Sequence, residues 1–239
     1  MTLIDLRREV DLNGFTLIIP SVSVANVPQL AIDLLIMNYD FKKVGMIWHP
    51  ALMPLVGADP FNENSEDIST ACELFVNESL KIATLQHRTS FHYKMLAVFL
   101  QDLKADIMKH KITRVIVLAS GFDHELHKID KGKLFYIDST GNDTILEQIG
   151  VKAQPAVDDK YSLPGGGFCI QTYEFLKSVA HCTILIRYVS EGVNTSDAIS
   201  MISILSKYLP TLDELNPDNI KVPHSWGCIF GSPPPIGMF

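Results

Sequence analysis

At 239 residues, with 47% hydrophobic and 20% charged side chains, the chain has the make-up of an ordinary globular protein of one large domain or two small ones. Its 20 basic and 27 acidic side chains give a net charge of −7. That balance argues against broad nucleic-acid binding, which needs a basic surface to neutralise phosphates, and leaves a basic protein partner open. No stretch has the length of a linker, so a single domain over 1–239 is expected. No apolar run reaches the roughly 18 residues of a membrane helix, and Asp5, Arg7, Arg8 and Glu9 stand where the apolar core of a signal segment would be.

Taken in order, Phe15 to Ile19 is a short apolar run rich in β-formers and closed by Pro20, which predicts a buried strand. Asn26-Val27-Pro28-Gln29 predicts a helix start, with Asn26 accepting from first-turn amides and Pro28 needing no amide partner. Leu30, Ala31, Leu34, Leu35 and Met37 give that helix a broad buried stripe, and Val44 to Trp48 follows as a second strand. Strand, helix, strand predicts a parallel βαβ unit. Ala51 to Asp67 reads as loop. Leu74 to Val76 and Ile82 to Leu85, flanking Asn77-Glu78-Ser79, predict a hairpin.

Tyr93 to His110 predicts a helix with Leu96, Leu100, Leu103 and Ile107 on one face, and Arg114 to Ala119 a continuous apolar strand of the buried parallel type. Leu134 to Ile137 is a further short strand, and Gly141 to Lys160 reads as irregular or weakly helical. The part of the core around which the rest should pack is Ser162 to Leu209. It holds a glycine hinge at Pro164 to Gly167, a helix over Phe168 to Val179, a central strand over Thr183 to Val189, and a helix capped by Asn194 or Thr195 and ended by Pro210. The fold class expected is α/β: a three-layer α/β/α sandwich with a mostly parallel central sheet.

Candidate chemistry is sparse. Pro164-Gly165-Gly166-Gly167 before a helix could cradle an anion, but no Lys-Ser/Thr follows, and a hinge with unusual backbone angles is the plainer reading. Ser120-Gly121 follows a buried strand with Asp123, His124 and His127 nearby, yet these make neither G-x-S-x-G nor H-E-x-x-H. Catalytic, cofactor-binding and metal-binding residues are therefore all expected to be absent. Cys72, Cys169, Cys182 and Cys228 form no C-x-x-C pair and read as buried reduced thiols of an intracellular protein. The segment from about 222 to 239 differs from the rest. Trp226 and Phe230 add apolar bulk without helix or strand period. Pro233-Pro234-Pro235 then stiffens the chain, and Ile236-Gly237-Met238-Phe239 reads as a peptide ligand whose terminal carboxylate suits a lysine or a set of backbone amides. Folding of this tail back onto its own body is the competing reading.

Several of these stretches together resemble the proteasome assembly chaperone 2 family. They are Gly14 to Leu35, Pro54-Leu55-Val56-Gly57, Arg114 to Ser120, Leu163 to Gly167, Tyr188 to Asn194 with Asp197-Ala198, and Val222 to Trp226 through Ile229-Phe230-Gly231 to the proline-rich end. The resemblance spans nearly the whole chain in order and is thinnest between about Asp123 and Lys160. It implies a non-enzymatic protein of the cytoplasm and nucleus, with an α/β fold similar to that of nucleoside phosphorylases. Such a protein pairs with proteasome assembly chaperone 1 and binds the α-subunit ring of the 20S proteasome. It promotes ring assembly and discourages off-pathway α-ring dimers and early activator binding. Tails in such pairs enter pockets between α subunits through a hydrophobic-tyrosine-any ending. Here Gly237, Met238 and Phe239 are the corresponding protein-binding residues, and the first two depart from that pattern, which points to a secondary part for this tail beside its partner's. The alternative is a small-molecule-binding enzyme of nucleoside phosphorylase or hydrolase type, using Ser120, His124 and the Gly165 to Gly167 loop.

Overall fold

A computed structural model describes residues 4–126, 132–216 and 219–228. Its strands are β1 (Ile4–Leu6), β2 (Thr16–Pro20), β3 (Lys42–Ile47), β4 (Val56–Ala58), β5 (Ile68–Thr70), β6 (Cys72–Asn77), β7 (Ile82–His87), β8 (Arg114–Phe122), β9 (Leu134–Asp138), β10 (Lys152–Ala153) and β11 (His181–Val189). The α-helices are α1 (Val27–Asn38), α2 (Leu96–Lys109), α3 (Thr144–Gln148), α4 (Cys169–Leu176) and α5 (Thr195–Tyr208). Nine strands form one sheet in the order β1-β3-β6-β7-β2-β8-β11-β9-β10, and β4 and β5 form a separate two-stranded arm. Among the described residues no helix is long and apolar enough to cross a membrane.

Alternation along the central strands builds the three layers. Leu17 and Ile19, Val115 and Val117, and Ile184 and Ile186 face one core, against Phe99, Leu100, Leu103 and Ile107 of α2 and Cys169, Tyr173 and Leu176 of α4. Ile18, Ile116, Leu118 and Leu185 face the other, against α1 and the Ala198, Met201, Ile202, Leu205 and Tyr208 stripe of α5. The continuous apolar runs expected for strands covered on both faces are therefore present in β2, β8 and β11.

The expectation of a mostly parallel sheet needs correction. Of the eight pairings in the large sheet among the described residues, four are parallel and four antiparallel. Parallel pairing holds the centre, β7-β2-β8-β11, where α2 and α4 make the returns. The predicted hairpin, β6–β7, is antiparallel because the turn over 78–81 is too short for a crossover. That hairpin sits between β2 and β3. The β2–α1–β3 crossover is parallel in sense, but its two strands stand three places apart and do not touch. On the other side β9 runs antiparallel to β11, and the stretch read as irregular contains α3 and β10.

Two predicted helix caps are also replaced. Asn26 has a left-handed backbone (φ 52°) and makes no side-chain cap. The turn it shares with Ala25 (φ 59°) is set by tertiary bonds instead: the Val24 amide donates to the Gly165 carbonyl and Ser120 Oγ donates to the Val24 carbonyl. Asn194 spends its amide on the Ser190 carbonyl and Asp197, and Asp197 in turn pairs with Arg187 at 3.0 Å. The side-chain cap that does form is Asp143, which accepts from the Ile145 and Leu146 amides at the start of α3.

Candidate protein-interaction surface

Parallel α/β sheets bind small molecules beyond the carboxyl ends of their strands. Here the part of that crevice beyond β7, β2 and β8 is filled by the chain's own groups. The Gly165 to Gly167 loop seats there with positive φ at Gly165 (+80°) and Gly167 (+64°), so the hinge reading holds. Ser21 Oγ donates to the Gly166 carbonyl at 2.7 Å and accepts from the Phe168 amide at 3.1 Å. A β-carbon on Gly167 would lie 2.1 Å from the Val22 carbonyl oxygen, so the loop packs directly on backbone and only glycine fits there.

The residues named for an enzyme do not come together. Ser120 is buried inside β8, with Oγ donating to the Val24 carbonyl (2.6 Å) and sharing a hydrogen bond with Ser23 Oγ (2.8 Å). His124 lies past the strand with its side chain 69% exposed, stacked on Phe122 and near Glu125. No base therefore stands beside the serine among its hydrogen-bond partners. His127 lies outside the described residues. An open cleft of about 470 Å³ does exist at the ends of β8 and β11, lined mainly by Leu126, Phe135, Pro155, Val157, Pro164 and Tyr188. Neither Ser120, His124 nor Gly165 to Gly167 lines it.

A buried histidine missed in the sequence closes the same crevice from the β7 side. His87 is fully buried, with ring contacts to Phe91 (5.1 Å), Phe99 (5.9 Å) and Phe168 (5.8 Å). Burial pushes its imidazole down to about 3, so it is neutral at pH 7 and serves as packing. Cys72, Cys169 and Cys182 are buried free thiols, as expected. Burial pushes all three up, Cys169 and Cys182 to about 12, which leaves them unreactive. The Cys228 side chain lies outside the described part. Among the described residues no three His, Cys, Asp or Glu gather where they could hold a metal.

The antiparallel flank is different. Trp48 follows β3 and is 58% exposed; Met53 (53%), Val56 (66%), Ile68 (48%) and Tyr93 (77%) are exposed on the loops and arm that follow β3 and β7. The Leu52–Phe91 bridge and the His92 amide on the Ala51 carbonyl hold the two segments together. A groove of about 470 Å³ runs between Ile47, Trp48, Pro50, Leu52 and Pro54. The arm is held in place by Lys43, whose Nζ donates to the Ile68 carbonyl (2.6 Å) and pairs with the buried Glu73 (2.7 Å). Exposed apolar bulk on a secured scaffold is the mark of a surface that another protein covers.

The root of the tail meets this flank. Trp226 docks on the body, as one reading of the sequence required: it packs against the α1–α5 core and its Nε1 reaches Asp33 Oδ2 at 3.4 Å. The Ser225 amide donates to the Pro60 carbonyl in the loop between β4 and β5. Asp33 is buried and held by Arg88 through two contacts (2.7 and 3.0 Å) and by Gln86 (2.6 Å). Phe230 and the candidate contact residues Gly237, Met238 and Phe239 lie outside the described residues.

The chain is 30% identical to human proteasome assembly chaperone 2, over 96% of each chain, and 32% identical to its Xenopus laevis counterpart, over 94% of each. Among solved structures it is similar to Pyrococcus furiosus PbaA, described as an archaeal homolog of proteasome-assembly chaperone (TM-score 0.67, 16% identity, 89% of this chain and 88% of that one). It is also similar to PbaB from the same organism, described as an archaeal proteasome activator (TM-score 0.63, 14% identity, 88% and 89%). At those identities the solved structures speak to fold. The PAC2 family model matches residues 17–209, from the first core strand to the end of α5, and with the whole-length relatives this shows that the chain belongs to the PAC2 family.

Proposed function

We propose that this protein is a non-enzymatic chaperone of 20S proteasome assembly. It pairs with proteasome assembly chaperone 1, and the pair binds the α-subunit ring, promotes its completion, and holds off α-ring dimers and premature activators in cytoplasm and nucleus. The observation that carries this reading is the similarity to the vertebrate chaperones over 96% of both chains. Geometry supports it from two sides. The part of the crevice beyond β7, β2 and β8 is occupied by Gly165 to Phe168 and His87, which favours a scaffold role for the sheet. The apolar flank around Trp48 and the tail root at Trp226 supply protein-binding surfaces. On this reading Gly237 to Phe239 contribute a second contact to the ring.

The test is capture of the tagged chain from its own cells, read by native mass spectrometry. A one-to-one complex with a second chain of similar size, carrying α subunits and no mature β subunits, is expected. A clean monomer or homodimer without α subunits would overturn the proposal.

A further inference from the structure

The amino ends of β8 and β11 lie at the end of the sheet opposite to Trp48 and the glycine loop. There the last turns of α2 and α4, with the turns that follow them, enclose an open groove of about 620 Å³, within the ~300–1,000 Å³ range of ligand sites. Ile112, Val179 and Met108 give it an apolar lining, and Met108 stands 60% exposed. Lys111, Lys177 and His181 give it a basic one.

The charge here runs against that of the chain as a whole. Residues 104–114 hold Lys104, Lys109, Lys111 and Arg114 against one carboxylate, Asp106, in a chain of 20 basic and 27 acidic side chains. Asp106 is buried and accepts from the Ile4 amide at 2.8 Å. Arg114 is spent on the ring of Tyr208, 4.4 Å away. Lys177 pairs with Glu174 (2.7 Å), and His181 Nε2 is taken by the buried Asp138 (2.8 Å). Lys104 donates to the Ser178 hydroxyl (2.8 Å), and among the described residues no carboxylate pairs with Lys109 or Lys111. Helix dipoles account for Lys109 and Lys177, since cations are favoured at helix carboxyl ends. They do not account for Lys111. It is the left-handed residue (φ 54°) of the turn that closes α2, with its amide on the Met108 carbonyl (3.2 Å) and the Ile112 amide on the Ile107 carbonyl (3.1 Å). Glycine is the usual residue at such a position, so a cation stands where backbone preference alone would put none.

We propose that this groove is a docking site for an acidic, extended segment of a partner protein. Its carboxylates meet Lys109, Lys111 and Lys177, and an apolar side chain between them covers Met108. Charge complementarity selects the occupant. A nucleic-acid backbone would meet the same lysines, but the net charge of −7 opposes it and the apolar lining suits a side chain. Because the groove and Trp48 are at opposite ends of the sheet, a partner on the Trp48 flank leaves this site free.

The experiment measures fluorescence anisotropy of a labelled eight-residue peptide, six glutamates with one leucine and one phenylalanine, on the purified full chain. The peptide is expected to bind, and Lys111→Glu with Lys177→Glu to weaken it about tenfold, because each reversal sets like charges together. Met108→Ser is expected to weaken it about threefold. A control with glutamine for every glutamate should bind about tenfold less tightly, and added salt should weaken the acidic peptide. All three changed positions are exposed, and unaltered melting temperatures check that the variants fold. On the intact chain, a photo-cross-linking version of the peptide should label residues 104–114 or 177–181. No binding at about 1 mM peptide, labelling elsewhere, or equal binding by the charge-reversed variant would overturn the proposal. Tighter binding of a twenty-nucleotide RNA, lost in that same variant, would overturn it in favour of a nucleic-acid site. The assay contains no α subunits, so its failure leaves the proposed assembly role standing.

Discussion

The two ends of the central sheet region treat apolar surface in opposite ways. Beyond β7, β2 and β8, where this architecture commonly holds ligands, the chain closes the space with a glycine loop, three serines and an aromatic cage around His87. On the antiparallel flank it leaves Trp48, Val56 and Tyr93 in water and anchors the loops that carry them. Ser21, Ser23 and Ser120 spend their hydroxyls on internal hydrogen bonds in the crevice, so changes there should cost folding. The flank contributes little to its own core, so changes there should cost association. The contrast separates scaffold from working surface without reference to any relative.

The sharpest way to break this division is Gly167→Ala. Its backbone φ of +64° and a β-carbon 2.1 Å from the Val22 carbonyl combine strain with a backbone clash. A loss of about 4 kcal/mol or more is expected, seen as little soluble folded protein, and a stable variant would show that the loop is loosely seated. Next, Asp33→Ala leaves the guanidinium of Arg88 and the amide of Gln86 without their carboxylate. It should cost about 3 kcal/mol in urea denaturation, whereas the joint replacement Asp33→Leu with Arg88→Met should cost markedly less.

An effect that grows with each pH unit concerns acid. His87 has a folded-state value of about 3 against an ordinary 6.5, so between those values the unfolded chain binds the extra proton. Stability from this residue is complete above pH 6.5 and falls as pH drops below it, by about 1.4 kcal/mol per unit. His87→Leu should flatten the limb between pH 6.5 and 4 by that slope, and an unchanged slope would mean that the imidazole is hydrated. The smallest effect on folding belongs to the flank. Trp48→Ser with Val56→Ser should shift stability by no more than about 0.5 kcal/mol while weakening capture of the partner chains about tenfold or more. Loss of stability with unchanged capture would reverse the assignment.

What could be read from the sequence was what local spacing determines. β2, β8 and β11 announced themselves as apolar runs, α2 and α5 by their three-and-four spacing, and β6–β7 by its short turn. The order of the strands was not legible, because placing the hairpin between β2 and β3 depends on contacts across the whole sheet. Asn26 and Asn194 looked like caps by neighbourhood, but tertiary bonds to Val24 set the turn at Asn26, and the Asn194 amide nitrogen bonds locally to the Ser190 carbonyl and Asp197 while its Oδ1 meets no donor. Ser120 and His124 are four residues apart in sequence, but one ends inside a strand and the other in a surface turn, so proximity in sequence does not bring their side chains together. Of the working surface, Trp226 was legible as an apolar residue without period. Asp33 looks like an ordinary polar position of a helix, and its role appears once Trp226 lies against it.

The inserted hairpin also dictates an order of events for a chain emerging from the ribosome. When β2, α1 and β3 have been made, the two strands cannot pair with each other, since their places in the sheet are three apart. Each keeps an edge open until residues 72–87 arrive, and β2 keeps its second edge open until β8 is made. The β6–β7 hairpin is local and closes in microseconds, so it is suited to form first and then to bridge the gap, bonding β3 on one side and β2 on the other. Until then the nascent amino-terminal third presents two unpaired strand edges, the feature most prone to pair with the wrong chain. A protein that attends the assembly of others is thus itself exposed to misassembly while the stretch from β2 to β8, residues 16–122, is being made, on the order of 5–20 seconds at ordinary elongation rates.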